Sequence, residues 1–117
     1  MDIQEITGEN YTVRYAPENT IIYFKGSLRL SGIAEYTPIA NLVSQIVEEE
    51  PKRIILNLKE LEFLNSSGIS MLSKFIINLR KKQTIQVIVK GSDTIPWQGK
   101  SLKNLQRLMP SLILELE

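Results

Sequence analysis

Apolar residues along this chain fall in short blocks separated by turn formers, and their spacing alternates between the period of a strand and that of a helix. Two apolar segments, Tyr11 to Ala16 and Thr20 to Lys25, flank Pro17-Glu18-Asn19, a pattern that predicts an antiparallel hairpin with the residues before Tyr11 extending its edge. The unbroken run Ile21-Ile22-Tyr23-Phe24 reads as a strand covered on both faces. Gly26 to Gly32 reads as a loop. Thr37-Pro38 then has the form of an N-cap followed by proline at the first helical position, so a helix is expected to begin there to within a turn. Apolar positions 36, 39, 40, 43, 46 and 47 keep helical spacing, and Glu48-Glu49-Glu50-Pro51 ends the run.

Arg53 to Leu58 reads as the next strand, with Lys59 to Leu64 leading from it into Asn65-Ser66-Ser67-Gly68. A second helix follows, its apolar stripe being Ile69, Leu72, Phe75, Ile76 and Leu79, and Arg80-Lys81-Lys82 closes it with charges suited to a helix C-terminus. Thr84 to Lys90 is rich in branched residues and reads as a strand, and Gly91 to Pro96 as a loop. A third helix is expected over Trp97 to Met109, burying Leu102, Leu105, Leu108 and Met109 before Pro110 stops it, and a last strand over Leu112 to Leu116. Two strands followed by three helix-strand pairs predict a single α/β domain over residues 1–117. Its sheet is mostly parallel, with an N-terminal antiparallel hairpin, right-handed crossovers and three main helices.

At 117 residues the chain is long enough to bury one core without disulfides or metal. A composition 43% hydrophobic and 23% charged, with net charge +1, suits a globular domain and lacks the basic footprint of nucleic-acid binding. There is no cysteine and no histidine, which excludes zinc sites built on those ligands, thiol nucleophiles and serine–histidine triads, so no metal or cofactor is expected. Neither a signal-peptide start nor an apolar run of membrane-spanning length is visible, which leads to an expected cytoplasmic location without a membrane partner. Enzyme signatures fail in detail. No phosphate-cradling glycine motif occurs, Ser70 and Lys74 stand four apart where a Ser-x-x-Lys pair needs three, and Glu60 and Glu62 read as solvated carboxylates.

Parallel α/β sheets carry functional residues beyond the carboxyl ends of their strands, which here selects the loops Gly26 to Gly32, Glu60 to Gly68 and Gly91 to Pro96. In the central loop, Asn65 or Ser66 can cap the second helix, contributing about 1 kcal/mol. Gly68 is unexplained by capping, because glycine in a first turn costs up to roughly 1 kcal/mol unless another group must come close. A helix N-terminus also tolerates added negative charge, so a phosphoryl group on one of these serines would alter a surface without unfolding the domain. Trp97, the only tryptophan, reads either as helix-start packing or as an interface anchor beside the same rim.

Leu64-Asn65-Ser66-Ser67-Gly68-Ile69 resembles the Asp-Ser-Ser-Gly or Asp-Thr-Ser-Gly turn that opens the second helix of STAS domains, the family of the anti-sigma factor antagonists. Phe24-Lys25-Gly26-Ser27-Leu28 is similar to that family's Gly-x-Leu segment, and the order of elements agrees over nearly the whole chain, the family's C-terminal helix excepted. The resemblance implies a non-enzymatic domain that binds a GHKL-type serine kinase/anti-sigma factor. It implies phosphorylation at Ser67 by that partner, an indirect link to a sigma factor, and partner contacts through Arg29, Asn65, Ser66, Ser67, Gly68 and Trp97. Asn65 replaces the family's usual aspartate and Arg29 stands where an acidic residue commonly follows Gly-x-Leu. Two outcomes therefore remain open, a differently charged kinase partner or a constitutive docking surface without phosphorylation, together with Arg29 pairing to a phosphate on Ser67. A scaffold subunit or homodimer is the competing class.

Overall fold

The computed structural model describes residues 4–29 and 31–117; the expectations for Met1 to Ile3 and for Leu30 lie outside the described residues. These residues form strands β1 (Glu5–Thr7), β2 (Tyr11–Ala16), β3 (Ile21–Leu28), β4 (Arg53–Leu64), β5 (Gln86–Gly91) and β6 (Ile113–Leu116). The helices are α1 (Ile33–Glu48), α2 (Ser66–Lys81) and α3 (Gln98–Leu108). One sheet contains all six strands in chain order, β1 to β3 pairing antiparallel and β3 to β6 parallel.

That order decides which face is covered. Each parallel crossover steps to the next strand in the same direction, and three right-handed crossovers stepping one way set all three helices on one face of the sheet. Burial along β3 alternates accordingly: Ile22 and Phe24 are at most 1% exposed, whereas Ile21 and Tyr23 are half-buried. The expectation that this run is covered on both faces is therefore corrected. On the helix-free face the Arg14 guanidinium lies 4.5 Å above the Tyr23 ring.

Helix α1 begins at Ile33 with Gly32 as N-cap, a full turn before Thr37, which leaves Pro38 inside the helix. The Thr37-Pro38 pair imitates a helix start, but Tyr36 and Ile39 both bury their side chains, at 7% and 0% exposure. Carrying the apolar stripe one turn further outweighs the backbone hydrogen bond that proline removes.

Strand β4 is twelve residues long, running six past the expected stop at Leu58, and β3 continues through Leu28 where a loop was expected from Gly26. Beyond Leu58 the buried positions are Leu61 and Leu64, every third residue and not every second. Register shifts between Tyr23 and Lys25 and between Gly26 and Ser27 explain the change. Each inserts one extra residue into β4, and every such bulge resets which face the next side chain takes. At the first, the Asn57 Oδ1 atom accepts from the Lys59 N–H at 3.1 Å. At the second, Gly26 has φ +93° and lies against the carbonyl of Asn10, a space and a conformation that only glycine fills without strain. The glycine of the Gly-x-Leu segment thus locks the β1–β2 turn onto β3, and the Ser27 N–H donates to the Asn10 carbonyl at 2.8 Å.

Candidate functional site

Strands β3 and β4 end together, Leu28 opposite Leu64, and the Asn65 N–H donates to the Leu28 carbonyl at 3.3 Å. This closure puts Arg29 beside the start of α2. Asn65 is the N-cap: its Oδ1 atom accepts from the Gly68 N–H at 2.9 Å, and its own carbonyl accepts from the Ile69 N–H at 2.9 Å. The asparagine therefore performs the capping without the charge of an aspartate.

A second donor meets the same oxygen. The Tyr36 hydroxyl, reaching from α1, donates to Asn65 Oδ1 at 2.9 Å and is in hydrogen-bond contact with the Ser67 hydroxyl as well. Burial raises the Tyr36 phenol above its ordinary value of 10.0 and nearby Glu35 adds to the rise, while the hydrogen bonds to Ser67 and Asn65 pull the other way. Sequence reasoning placed Tyr36 only in the apolar stripe of α1. The available signal was its polar tip, since a tyrosine that buries its ring needs a partner for its hydroxyl.

Ser66 and Ser67 are exposed, whereas Gly68 is buried. The close approach that Gly68 permits is internal: a Cβ there would run into the Leu64 side chain, meeting its Cδ1 atom and lying 2.8 Å from its Cγ. The glycine exists so that the last core leucine of β4 fits under the first turn of α2. Within the turn, Asn65, Gly68 and Leu64 hold the shape and the two serines face outward.

Arg29 is exposed and its guanidinium lies 4.1 Å above the ring of Phe63, a residue 36% exposed. Cation and ring form one amphipathic patch on the exposed side of the β4 end. Trp97 lies further back. Its indole N–H donates to the Leu61 carbonyl at 3.1 Å, and Gln98 Nε2 donates to the Leu58 and Leu61 carbonyls at 2.7 and 3.0 Å. Strand β5 pairs with β4 only from Arg53 to Asn57, so the rest of β4 has no strand on that side and these two side chains take its carbonyls. The rim is consequently stepped. Arg29 and Asn65 to Gly68 come together at its high edge, while the Gly91 to Pro96 loop and Trp97 stand on the lower step, Leu61 being about 13 Å of strand before Asn65.

These features define a class: an α/β domain whose one-sided sheet ends in a capped, outward-facing serine turn. The family model of the STAS domain matches residues 13–95, and the chain belongs to that family. No curated protein sequence matches it. Among solved structures, SiaC of Pseudomonas aeruginosa superposes with a TM-score of 0.78 at 11% identity, over 100% of this chain and 98% of that one. The apo-SiaC crystal structure gives 0.79 at 10% identity over 100% and 99%. The crystal structure of the diguanylate cyclase SiaD in complex with its activator SiaC, from the same organism, gives 0.77 at 10% identity over 98% and 100%. At such identities the likeness is one of fold.

Proposed function

We propose that this chain is a non-catalytic, cytoplasmic regulator that docks onto a protein partner through the high edge of the rim, with Arg29, Asn65, Ser66 and Ser67 at the contact and Gly68 buried beneath it, and that phosphorylation of Ser67 releases the partner. The observation that carries the reading is the division of labour in the serine turn. Its shape is held by Asn65, Gly68 and Tyr36, so Ser67, exposed in the first turn of α2, can change charge without losing the cap. In this reading, which rests on the likeness of the serine turn to that of the anti-sigma factor antagonists, the partner is a GHKL-type serine kinase/anti-sigma factor that phosphorylates Ser67, with a sigma factor downstream. Trp97 contributes to docking only for a partner broad enough to reach the lower step.

A specific observation favours a second reading of the partner. SiaC, which shares the fold over essentially the full length of both chains, is named as the activator of a diguanylate cyclase in the structure of their complex. In that reading the rim of this domain engages a signalling enzyme directly, and Ser67 phosphorylation governs the engagement. Incubation with a cognate GHKL-type kinase and ATP, followed by phosphate mapping by mass spectrometry, tests the switch. Label on Ser67 together with loss of complex is the expected result. A stable complex without label leaves a constitutive docking domain, and the absence of both label and complex overturns the proposal.

A further inference from the structure

Helices α1 and α2 lie side by side on the covered face of the sheet, and the space between them begins at Ser67. A groove of about 340 Å³ runs there between Tyr36, Ala40 and Ser44 of α1 and Ser67, Met71, Lys74 and Phe75 of α2. A second hollow of about 260 Å³, sharing Ser44, Phe75 and Asn78 with the first, continues it past Val43 and Val47 to Lys81 and Lys82. The two form one trough along α2, from residue 67 to residue 81, about 21 Å or four turns of helix.

The trough has an apolar floor and a basic wall. Met71 and Phe75 are 6% and 5% exposed, so each presents one edge, and half-buried Ala40 keeps α1 low enough for a side chain to enter. The charged residues lining it are Lys74, Lys81, Lys82 and Glu48. Lys82 is engaged by Glu50 at 3.7 Å, whereas Lys74 and Lys81 make no ion pair among the described residues. Three cations against one anion, two of the cations unpaired, select a negatively charged occupant. Both walls are helices, so the trough offers no strand edge for an extended peptide to pair with. It is suited to side chains arriving at helical spacing.

We infer that the α1–α2 trough is a docking groove for an acidic amphipathic helix of a partner protein, apolar residues seated over Ala40, Met71 and Phe75 and a carboxylate on Lys74. The inference rests on the reading of this chain as a docking regulator, and it does not require Ser67 to be phosphorylated. Because Ser67 stands at the mouth, two helical turns from Lys74 on the same face, occupancy of the groove and contact at the rim belong to one partner footprint.

The test uses the unphosphorylated full chain and two fluorescein-labelled stapled helices of about four turns, with leucine at i, i+3, i+4 and i+7. One probe carries glutamate on its flanks and the other lysine. Polarisation should show the glutamate probe binding at least tenfold more tightly than the lysine probe. The Lys74→Glu variant should weaken the glutamate probe at least tenfold, while Lys103→Glu, the same charge change on the exposed side of α3, should leave it within twofold. Amide shift mapping should localise the probe to Ala40, Ser44, Met71, Lys74 and Asn78. Equal affinity for both probes, equal effects of the two lysine variants, no binding of the glutamate probe, or shifts centred elsewhere would each overturn the inference. Since no kinase is present, failure here leaves the Ser67 reading intact, and failure of Ser67 labelling leaves the groove intact.

Discussion

Gly68 and Tyr36 are the residues on which the serine turn depends, for opposite reasons. A methyl group at Gly68 meets the Leu64 side chain, so Gly68→Ala combines an overpacking cost of about 1–3 kcal/mol with a gain in helix propensity of up to roughly 1 kcal/mol. The expected net destabilisation is about 1–2 kcal/mol by urea titration. In the Leu64→Ala background the clash is gone and the same change should be neutral or stabilising, a coupling that a double-mutant cycle reads directly.

Tyr36→Phe removes a hydroxyl that donates to Asn65, and should cost about 1 kcal/mol at neutral pH. Its larger signature is alkaline. The folded protein holds the Tyr36 proton at pH values where the unfolded chain has released it, because burial raises the phenol above 10.0. The stability this gives is complete below pH 10 and lost as pH rises through the raised native value. Tyr15, raised by burial and by Glu49, acts in the same direction. Stability measured from pH 9 upward should therefore fall less steeply in Tyr36→Phe than in wild type, with a remaining slope due to Tyr15. Parallel slopes would refute the assignment.

At the scale of elements, the outer half of β4 is held by side chains and not by a neighbouring strand. Gln98 is fully buried, gives its amide to the Leu58 and Leu61 carbonyls, and accepts from the Ser92 N–H at 2.7 Å. Gln98→Ala removes the side-chain partner of the Leu58 carbonyl and of the Ser92 N–H in a closed site, while the Leu61 carbonyl keeps the Trp97 indole N–H, and should cost about 3 kcal/mol. Hydrogen exchange should accelerate first in Leu58 to Leu64, ahead of β5. Global loss of protection with no such local opening would show that α3 anchors the whole sheet instead. The bulges of this strand were illegible in sequence because leucines at 58, 61 and 64 fit neither the strand nor the helix period. Their burial depends on register with β3, whose paired residues precede them by 34 to 36 positions, as in Tyr23 opposite Asn57 and Leu28 opposite Leu64.

For the whole molecule, the one-sided sheet leaves the serine turn at the highest point of a stepped rim, with its structural duties carried by neighbours. Ser67→Asp should consequently change the thermal midpoint by no more than about 2 °C, less than Asn65→Ala, whose lost cap is worth about 1 kcal/mol. A large drop for Ser67→Asp would mean that the Ser67 contact with Tyr36 is structural, and would remove the basis for a charge switch at this position.

Element order, the parallel class of the sheet and the capped serine turn were legible from the chain alone, because they arise from periodicity, turn chemistry and capping within a few residues of one another. The helix start before Thr37 was not, since Pro38 carries a strong local signal that only burial of Tyr36 outweighs. Nor could spacing tell that Gly68 yields to Leu64 and not to a partner, that Trp97 stands on the lower step, or that Lys74 lines a trough. Each depends on which distant segments meet, and those meetings follow from long-range packing of β3, β4 and the three helices rather than from local propensity.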